Sequence, residues 1–488
     1  MLSSRSWRPP NAPRSAFEGL LALGICGWLI VFDLSQRPGE GSAAQATPSP
    51  RLASDGKLHW YRGNLHTHSM WSDGDDYLEM VGLWYKDHGY DFVCFTDHNR
   101  LAKSERWVKV SQNGSPPAAL EKLKARFPKD WVEERTVDGR HEIRLKTFDE
   151  VNKRIGEPGR FLLMQGEEIS DLFGRSQIHI NAYNVQEAIP PMRGKSVPDT
   201  LQNNFDAVIA QRERTGKPIL AHLNHPNYYY GLTAEDVMRI RGANFFEVYS
   251  GHPSVHNSGD NLHASTDRIW DIILANRLGD LNLPMMYALA TDDAHRYHHI
   301  PGRGSEPGRG WVMVLAPELT PEALIASMEA GRFYASCGVK LRELVSGPEG
   351  LDIAIEAEPA VSYRIDFIGT RSNFNRTSEP IRDESGKEIR ATRHYSEDIG
   401  VTFKTVYGDK ASYRFGRDEL YVRAHISSNK HHPNPSEIGD FEQAWVQPVR
   451  GPAALNHAEE PGAPKSISTG GQAATQLSSP KSGATPEP

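Results

Sequence analysis

Cysteine is almost missing from this chain: three residues in 488, Cys26, Cys94 and Cys337. That excludes a disulfide framework and any cysteine-rich zinc module. A positive charge excess is missing too. Lys and Arg number 55 against 62 Asp and Glu, a formal net charge of −7. A general nucleic-acid binder would carry a basic face instead, so no nucleic-acid polymer is expected as a partner. Long apolar runs are missing with one exception, residues 19–32 (GLLALGICGWLIVF). The remainder, 38% hydrophobic and 24% charged over the chain, reads as ordinary globular protein. At roughly 100–200 residues per domain, the length allows two or three domains.

The one apolar run bears on location. Arg5, Arg8 and Arg14 precede it and Asp33 follows. It falls short of the about 17–25 residues of a spanning helix. A basic segment before a short apolar core is the layout of an export signal. The small-residue site Ala44-Gln45-Ala46 lies far downstream. Residues 1–15 are therefore read as a basic N-terminal segment and 16–34 as an uncleaved signal anchor. A cleaved signal peptide and a buried core helix are the alternatives. Residues 35–54, rich in Ser, Pro, Gly and Ala, read as a flexible linker. The positive-inside rule puts the arginines in the cytoplasm. The expected protein is exported and held at the membrane, periplasmic in a bacterium, or secreted if the signal is cleaved.

Within 55–338 short apolar runs alternate with amphipathic stretches. The runs are 60–65, 92–96, 161–165, 178–183, 218–223, 245–249, 285–290 and 311–315. Helical stops follow at Gly89, Gly216 and Gly279, and Thr320-Pro321 opens a helix that closes at Gly331. Near-continuous apolar strands between helices predict an α/β fold with a parallel sheet covered on both faces. Seven or eight such units predict a barrel. The polar segment 101–147 reads as an irregular insertion. After about 340 the pattern alternates apolar and polar, as in LDIAIEAE (351–358) and LYVRAHIS (420–427), which predicts antiparallel strands and a small β-sandwich over 339–449. Residues 450–488 are rich in Pro and Gly with few large apolar residues and are expected to be a disordered tail.

Fifteen of the 20 histidines lie between His59 and His299. His66-Thr67-His68 ends the first strand, where i and i+2 share a face and can reach one metal. Asp73 follows across a Ser/Asp/Gly turn. Thr96-Asp97-His98-Asn99 ends the second strand and Gly166-Glu167-Glu168 the third. His179 lies in the fourth. His222 and His225 end the fifth, Glu247 the sixth, and Asp293-Ala294-His295 the seventh. Each motif alone is weak: an isolated H-x-H is usually coincidence, and Asp and Asn favour turns. Together they place metal-type side chains at seven successive strand ends, where barrel active sites sit. Imidazoles and carboxylates without thiolates suit Zn, Mn or Fe rather than copper or an iron–sulfur cluster. Cys94 and Cys337 read as buried inert thiols. His431-His432 reads as a loop.

The motifs NLHTHS (64–69) with Asp73, FTDHN (95–99), GEE (166–168), HINAYN (179–184), NHPN (224–227) and DAH (293–295) resemble those of the PHP (polymerase and histidinol phosphatase) superfamily. The resemblance covers about 58–338. It implies a distorted β/α barrel of seven strands carrying two or three divalent metals. It implies that His66, His68, Glu168 and Asp293 hold the first metal. Glu168 would bridge to a second, held by His179 and His225. Asp73, His98 and His295 would hold a third. Glu167, Asp292 and His222 compete with Glu168, Asp293 and His225. The family's G-x-E, D-x-H and His-Pro patterns favour the latter three, which leaves His222 and Glu247 as alternative ligands or ligand-orienting groups.

The implied chemistry is hydrolysis by a metal-bridging hydroxide positioned by Glu168, because clustered divalent cations acidify water and polarise the electrophile. Asp97 is a candidate general acid or a partner of a ligating histidine. Arg100 and Arg296 are candidate substrate contacts, since arginine suits phosphate. Arg303 and Arg309 lie in PGRGSEPGRG (301–310), which lacks P-loop spacing. The expected substrate is a small phosphate ester or nucleotide. The alternative is a carboxylic ester or carbamate, because the layout, with GRFYASCGVKL (331–341) as junction, resembles the exported carbaryl-hydrolase (CehA/McbA) branch. A third reading is a non-catalytic exported binding protein with a vestigial barrel. The amidohydrolase barrel is a rival at fold level, though it has no counterpart of TDHN.

Overall fold

Each apolar run between 60 and 315 forms a strand. The computed structural model describes residues 58–111 and 114–455. The basic segment, the apolar segment and the linker lie outside the described residues, as does the tail beyond 455. Among the described residues no helix is long and apolar enough to cross a membrane.

The chain opens with β1 (His59–Asn64), α1 (Leu78–Asp87) and β2 (Phe92–Phe95). The segment expected to be irregular is instead folded. It holds β3 (Arg106–Lys109), α2 (Pro117–Arg126), β4 (Glu134–Val137) and β5 (Arg140–Leu145), with the strands in the order β3-β5-β4. There follow α3 (Phe148–Ile155), β6 (Leu162–Phe173), β7 (Ser176–Tyr183), α4 (Val197–Thr215), β8 (Leu220–Leu223) and α5 (Ala234–Val237). Next come β9 (Phe245–Ser250), α6 (Thr266–Gly279), β10 (Tyr287–Thr291), β11 (Trp311–Ala316), α7 (Pro321–Glu329) and β12 (Phe333–Ser336).

Strands run β1-β2-β6-β7-β8-β9-β10 in space. Beyond their ends β1 and β10 meet in a parallel bridge between Thr67 and Ala294, with His68 N donating to Ala294 O at 2.9 Å. The result is barrel-like. It is not wholly parallel: β7 pairs antiparallel with both β6 and β8. The reason is the connection. Only Gly174 and Arg175 separate β6 from β7, and a parallel crossover needs a dozen or more residues. Gly174 takes a φ of 62°, which glycine adopts without a Cβ penalty. Because β7 runs backwards, His179 near its start lies opposite Ser170 of β6, at the rim where the other strands end.

Helix boundaries follow local chemistry. Thr147 and Glu150 form a capping box on α3, and Thr320 caps α7 with proline in its first turn. Gly216 stops α4 in a left-handed conformation. Gly279 differs from expectation. It is the last residue of α6 rather than a left-handed stop. A Cβ there would sit 2.9 Å from the Phe374 ring, so the glycine is required by packing.

The C-terminal portion comprises β13 (Leu341–Gly347), β14 (Gly350–Ile355), β15 (Tyr363–Arg371), β16 (Ser378–Glu379), β17 (His394–Tyr395), β18 (Val401–Tyr407), β19 (Lys410–Arg414), β20 (Glu419–His431), β21 (Phe441–Arg450) and α8 (Pro452–Leu455). The sheet β13-β14-β19 packs through Leu351, Ile353 and Ile355 on Ile365, Phe367, Val422 and Ile426 of the second layer. That second layer, β21-β20-β15-β18, runs on from the barrel sheet because β12 pairs with both β11 and β21.

Glu79 of α1 is buried under the folded insertion. Its Oε1 accepts a hydrogen bond from Trp131 Nε1 at 2.8 Å, and its Oε2 has no hydrogen-bond partner among the described residues. Burial pushes its pKa up from 4.5 to about 7. A carboxyl raised in the folded state contributes stability that is complete below its ordinary pKa and is lost as pH rises through the folded value. Wild-type stability should therefore fall by on the order of 1–3 kcal/mol between pH 5 and pH 8 through this group alone. Urea midpoints measured for Glu79→Gln across that range should lose this part of the slope.

Candidate metal centre

His66 and His68 follow β1 in extended backbone, so their rings point the same way, and both are fully buried. His66 Nε2 lies 3.2 Å from Asp293 Oδ1 and 3.5 Å from Glu168 Oε1. His68 Nε2 lies 3.2 Å from Asp293 Oδ1 and 3.3 Å from Glu168 Oε2. Glu168 Oε1 also accepts from Asn224 Nδ2 at 2.7 Å and is 2.9 Å from His179 Nδ1. His225 Nε2 faces Asp293 Oδ2 at 3.7 Å and Glu168 Oε1 at 3.8 Å. Asp73 stands at the rim, with His295 Nε2 at 3.4 Å and His98 Nε2 at 3.6 Å.

Two non-glycine residues take left-handed backbone to build this rim: Asn99 at φ 49° and Asp293 at φ 50°. Such conformations cost energy and persist where the surroundings enforce them. The Asn99 side chain imitates a strand pair. Its Nδ2 donates to Ser170 O at 3.0 Å and its Oδ1 accepts from Ser170 N at 2.9 Å. This ties the end of β2 to β6 and sets His98, whose Nδ1 pairs with Ser170 Oγ at 2.6 Å.

Burial alone would raise the Glu168 carboxyl, but His98, His179 and His66 hold it well below the usual range. Asp293 is likewise held down, above all by His66 against the cost of burial. Three buried atoms at the focus, His66 Nε2, His68 Nε2 and Glu168 Oε2, have no hydrogen-bond partner among the described residues. Unpaired buried polar atoms call for an explanation, and a cation supplies one. Among the described residues four overlapping groups each bring their donor atoms within 4.8 Å of one another: His66/Glu168/His225, His66/His68/Asp293 and His68/Asp73/His98/His295 under the cavity, and His66/His222/Glu247 behind them. These donors fit divalent metals of the Zn, Mn or Fe kind.

The paired acids divide their work. Glu167 turns away from the focus and accepts from Ile189 N at 2.8 Å, with burial pushing its pKa up to about 7. Asp292 accepts backbone N–H bonds from Gly308, Arg309 and Gly310 at 2.7–2.9 Å and the Tyr85 hydroxyl at 2.8 Å. It anchors the 301–310 loop.

Glu247 and His222 form a layer behind the focus. Glu247 Oε1 meets His66 Nδ1 at 2.7 Å, His222 Nε2 at 2.9 Å and Thr291 Oγ1 at 2.9 Å, while Oε2 accepts from His225 N at 2.9 Å. The other nitrogen of His222 pairs with the Tyr183 hydroxyl. Both His222 nitrogens are thus occupied, and it is His225 that faces Glu168 and Asp293. By accepting from His66 Nδ1, Glu247 leaves the Nε2 lone pair aimed at the focus. Glu247→Gln should weaken divalent-metal affinity about 10–100-fold with every facing side chain retained. Titration of the metal-stripped protein checks this, and an unchanged affinity would remove Glu247 from the centre.

Asp97 departs from expectation. Its carboxylate accepts from Ser69 N, Ser69 Oγ, Ser72 N and Ser72 Oγ at 2.7–3.0 Å and lines no part of the cavity. It is a positioning residue for the 69–72 turn, not an acid that reaches a substrate. Arg100 also stays off the cavity wall, whereas Arg296 is on it. Arg309 is buried; its Nη1 donates to Gly251 O and Gly304 O and its Nη2 to Asn434 Oδ1, beside the Glu306 carboxylate at 3.4 Å.

The cavity over the focus measures about 400 Å³. Besides Asp73, His98, Glu168, His179, His225, Asp293 and His295 it is lined by Tyr228, His252, Arg296 and Ser305. Tyr228, His252 and Ser305 escape a reading by motif. For His252 a signal existed: Ser250-Gly251-His252 follows β9 as the other histidines follow their strands. Burial lowers its pKa to about 4, with His295 and His225 pushing the same way. A larger cavity, about 760 Å³, lies at the opposite end of the barrel among Leu220, Phe245, Tyr287 and Phe333. Among the described residues that line it there is no histidine, and the one acid, Glu329, pairs with Arg212.

No protein-family model matches this chain, and no curated protein does. Among solved structures it is similar to a two-domain protein from Bacteroides vulgatus containing a predicted PHP-like metal-dependent phosphoesterase. The identity is 14% over 82% of this chain and 97% of that one, with a TM-score of 0.35. It is also similar to an amidohydrolase from Chromobacterium violaceum with bound sulfate and no metal, 14% identical over 48% of this chain and 87% of that one, with a TM-score of 0.23.

Proposed function

We propose that this protein is a metal-dependent hydrolase of the PHP superfamily, acting as a phosphoesterase on a small phosphate ester or nucleotide. The observation that carries the proposal is the convergence of buried His66 Nε2, His68 Nε2 and Glu168 Oε2, without a hydrogen-bond partner among the described residues, on one focus beneath an open cavity. His66, His68, Glu168, His179, His225 and Asp293 would hold the inner cations, and Asp73, His98 and His295 the outer one. Bound there, divalent metals supply an acidified water and Lewis-acid polarisation of the electrophile. The chain's own side chains shape what enters. Arg296 offers a cation at the mouth, held only loosely by Asp75 at 3.8 Å. Glu247 keeps His66 in its working tautomer, and Asp97 keeps the 69–72 turn in place. A cavity of this size suits a small substrate.

The β-rich portion after the 331–341 junction favours a second reading, a carboxylic-ester or carbamate hydrolase of the CehA/McbA kind. The two readings differ in the electrophile and share the site. Export through residues 16–34 belongs to either and rests on sequence alone. Protein purified without chelator and supplemented with Mn, Fe or Zn should hydrolyse p-nitrophenyl phosphate faster than p-nitrophenyl acetate. The reverse order would select the second reading, and turnover of neither would sink both.

A further inference from the structure

The loop after β9 carries a histidine that none of the four donor groups uses. His252 is half-buried and lines the cavity beside Tyr228, with ring centroids 5.4 Å apart. Its Nδ1 accepts the backbone N–H of Ser254 at 3.1 Å. A ring nitrogen that accepts an N–H carries no proton, so the ring is neutral and its hydrogen sits on Nε2. Among the described residues no acceptor pairs with that Nε2.

The surrounding loop is well tied. Asn257 Oδ1 accepts from Ser250 N at 3.1 Å, and its Nδ2 donates to Ser250 O at 2.9 Å. Asn227 Nδ2 donates to His256 O at 2.9 Å, and Val255 bridges to Tyr228. The same local bond recurs at His432, whose Nδ1 accepts from Asn434 N at 3.1 Å. Both stand in a His-Pro sequence. His432 lies off the cavity wall, so the tautomer comes from the local turn and the orientation towards the centre from the position of β9.

The rest of the wall explains what such a donor is for. The carboxylates and the histidines at the focus present lone pairs to cations. Ser305 Oγ is committed to Asp293 O. His179 is committed to Glu168 through Nδ1 at 2.9 Å. Among the described residues that leaves His252, Tyr228 and Arg296 as the donors on the wall outside the cation-holding residues. We propose that His252 hydrogen-bonds a charge-bearing oxygen of the substrate's phosphoryl group through Nε2–H, as a neutral donor that keeps its proton throughout. This deepens the phosphoesterase reading and rests on it.

The test uses the full metal-loaded chain and three substitutions. His252→Gln carries an amide nitrogen near the former Nε2 and keeps the donor. His252→Asn keeps an acceptor for Ser254 N and loses the donor into the cavity. His252→Leu loses both. Metal content, the Kd for inorganic phosphate by calorimetry, and kcat and KM for phenyl phosphate are measured for each. Metal content should be unchanged in all three. His252→Asn and His252→Leu should bind phosphate at least about tenfold more weakly and lose about 100-fold in kcat, while His252→Gln stays close to the parent. Loss of metal in any variant would make His252 a ligand and overturn the proposal. So would parental phosphate affinity in His252→Asn, or a His252→Gln as impaired as His252→Leu. A parent that hydrolyses no phosphate ester would count against the phosphoesterase reading alone, since the phosphate-binding comparison would still decide the role of His252.

Discussion

Glu168→Ala should empty the metal centre. The carboxylate stands between the inner donors and the rim, with Oε1 facing His66, His179 and His225 and Oε2 facing His68 and His98. Removing it leaves five imidazoles around a focus with Asp293 as the remaining inner acid. Elemental analysis should show the loss of at least one divalent ion per chain. Metal assistance is worth several kcal/mol of barrier, and each 1.36 kcal/mol is tenfold in rate, so turnover should fall by about 10³ or more. His66→Ala with His68→Ala should do the same by removing the imidazoles. Glu167→Ala is the control: its carboxylate serves Ile189 N and should leave metal content intact. A Glu168→Ala protein that keeps its full metal complement would place the cations elsewhere.

Asp271→Ala should cost about 3–5 kcal/mol of stability, the range for stranding one partner of a buried ion pair. Asp271 on α6 takes Arg423 Nε at 2.8 Å and Nη2 at 2.7 Å from β20, together with the Tyr421 hydroxyl at 2.8 Å. Arg423 is 1% exposed, Asp271 is 4% exposed, and the guanidinium also covers the Trp270 ring at 4.5 Å. This pair joins a barrel helix to the C-terminal sheet. Without Asp271 the arginine keeps, among the described residues, the Asp267 carboxylate at 3.0 Å, and the tyrosine hydroxyl keeps Thr370 Oγ1 and the residue 271 backbone carbonyl. Replacing both partners by apolar residues, Asp271→Leu with Arg423→Met, should cost much less, because no buried charge is then left alone. Denaturant midpoints for the single and double variants measure the difference. A single variant within about 1 kcal/mol of wild type would show that water reaches the arginine.

The sequence by itself determined the strands of the barrel, because runs such as FVCFT and FFEVY can be satisfied only by burial on both faces. It also determined which residues could share a face. Alternation along a strand separates Glu167 from Glu168, and i, i+2 spacing joins His66 to His68. These are local facts of backbone geometry, and they survive whatever the chain packs against. Tertiary structure decided the rest. The reversal of β7 follows from a two-residue link, yet it is its pairing with both β6 and β8 that brings His179 to the rim. The choice between His222 and His225 depends on Glu247 and Tyr183, whose positions no spacing near residue 222 reveals. Asp97 and Arg309 carry the residue types of catalysis and of phosphate binding, but distant turns consume their hydrogen bonds. His252 stands outside every motif, and the position of β9 sets it against the cavity. A side chain's reach is written into its own segment, whereas what it meets is supplied by segments far away in sequence, and chemistry depends on the meeting.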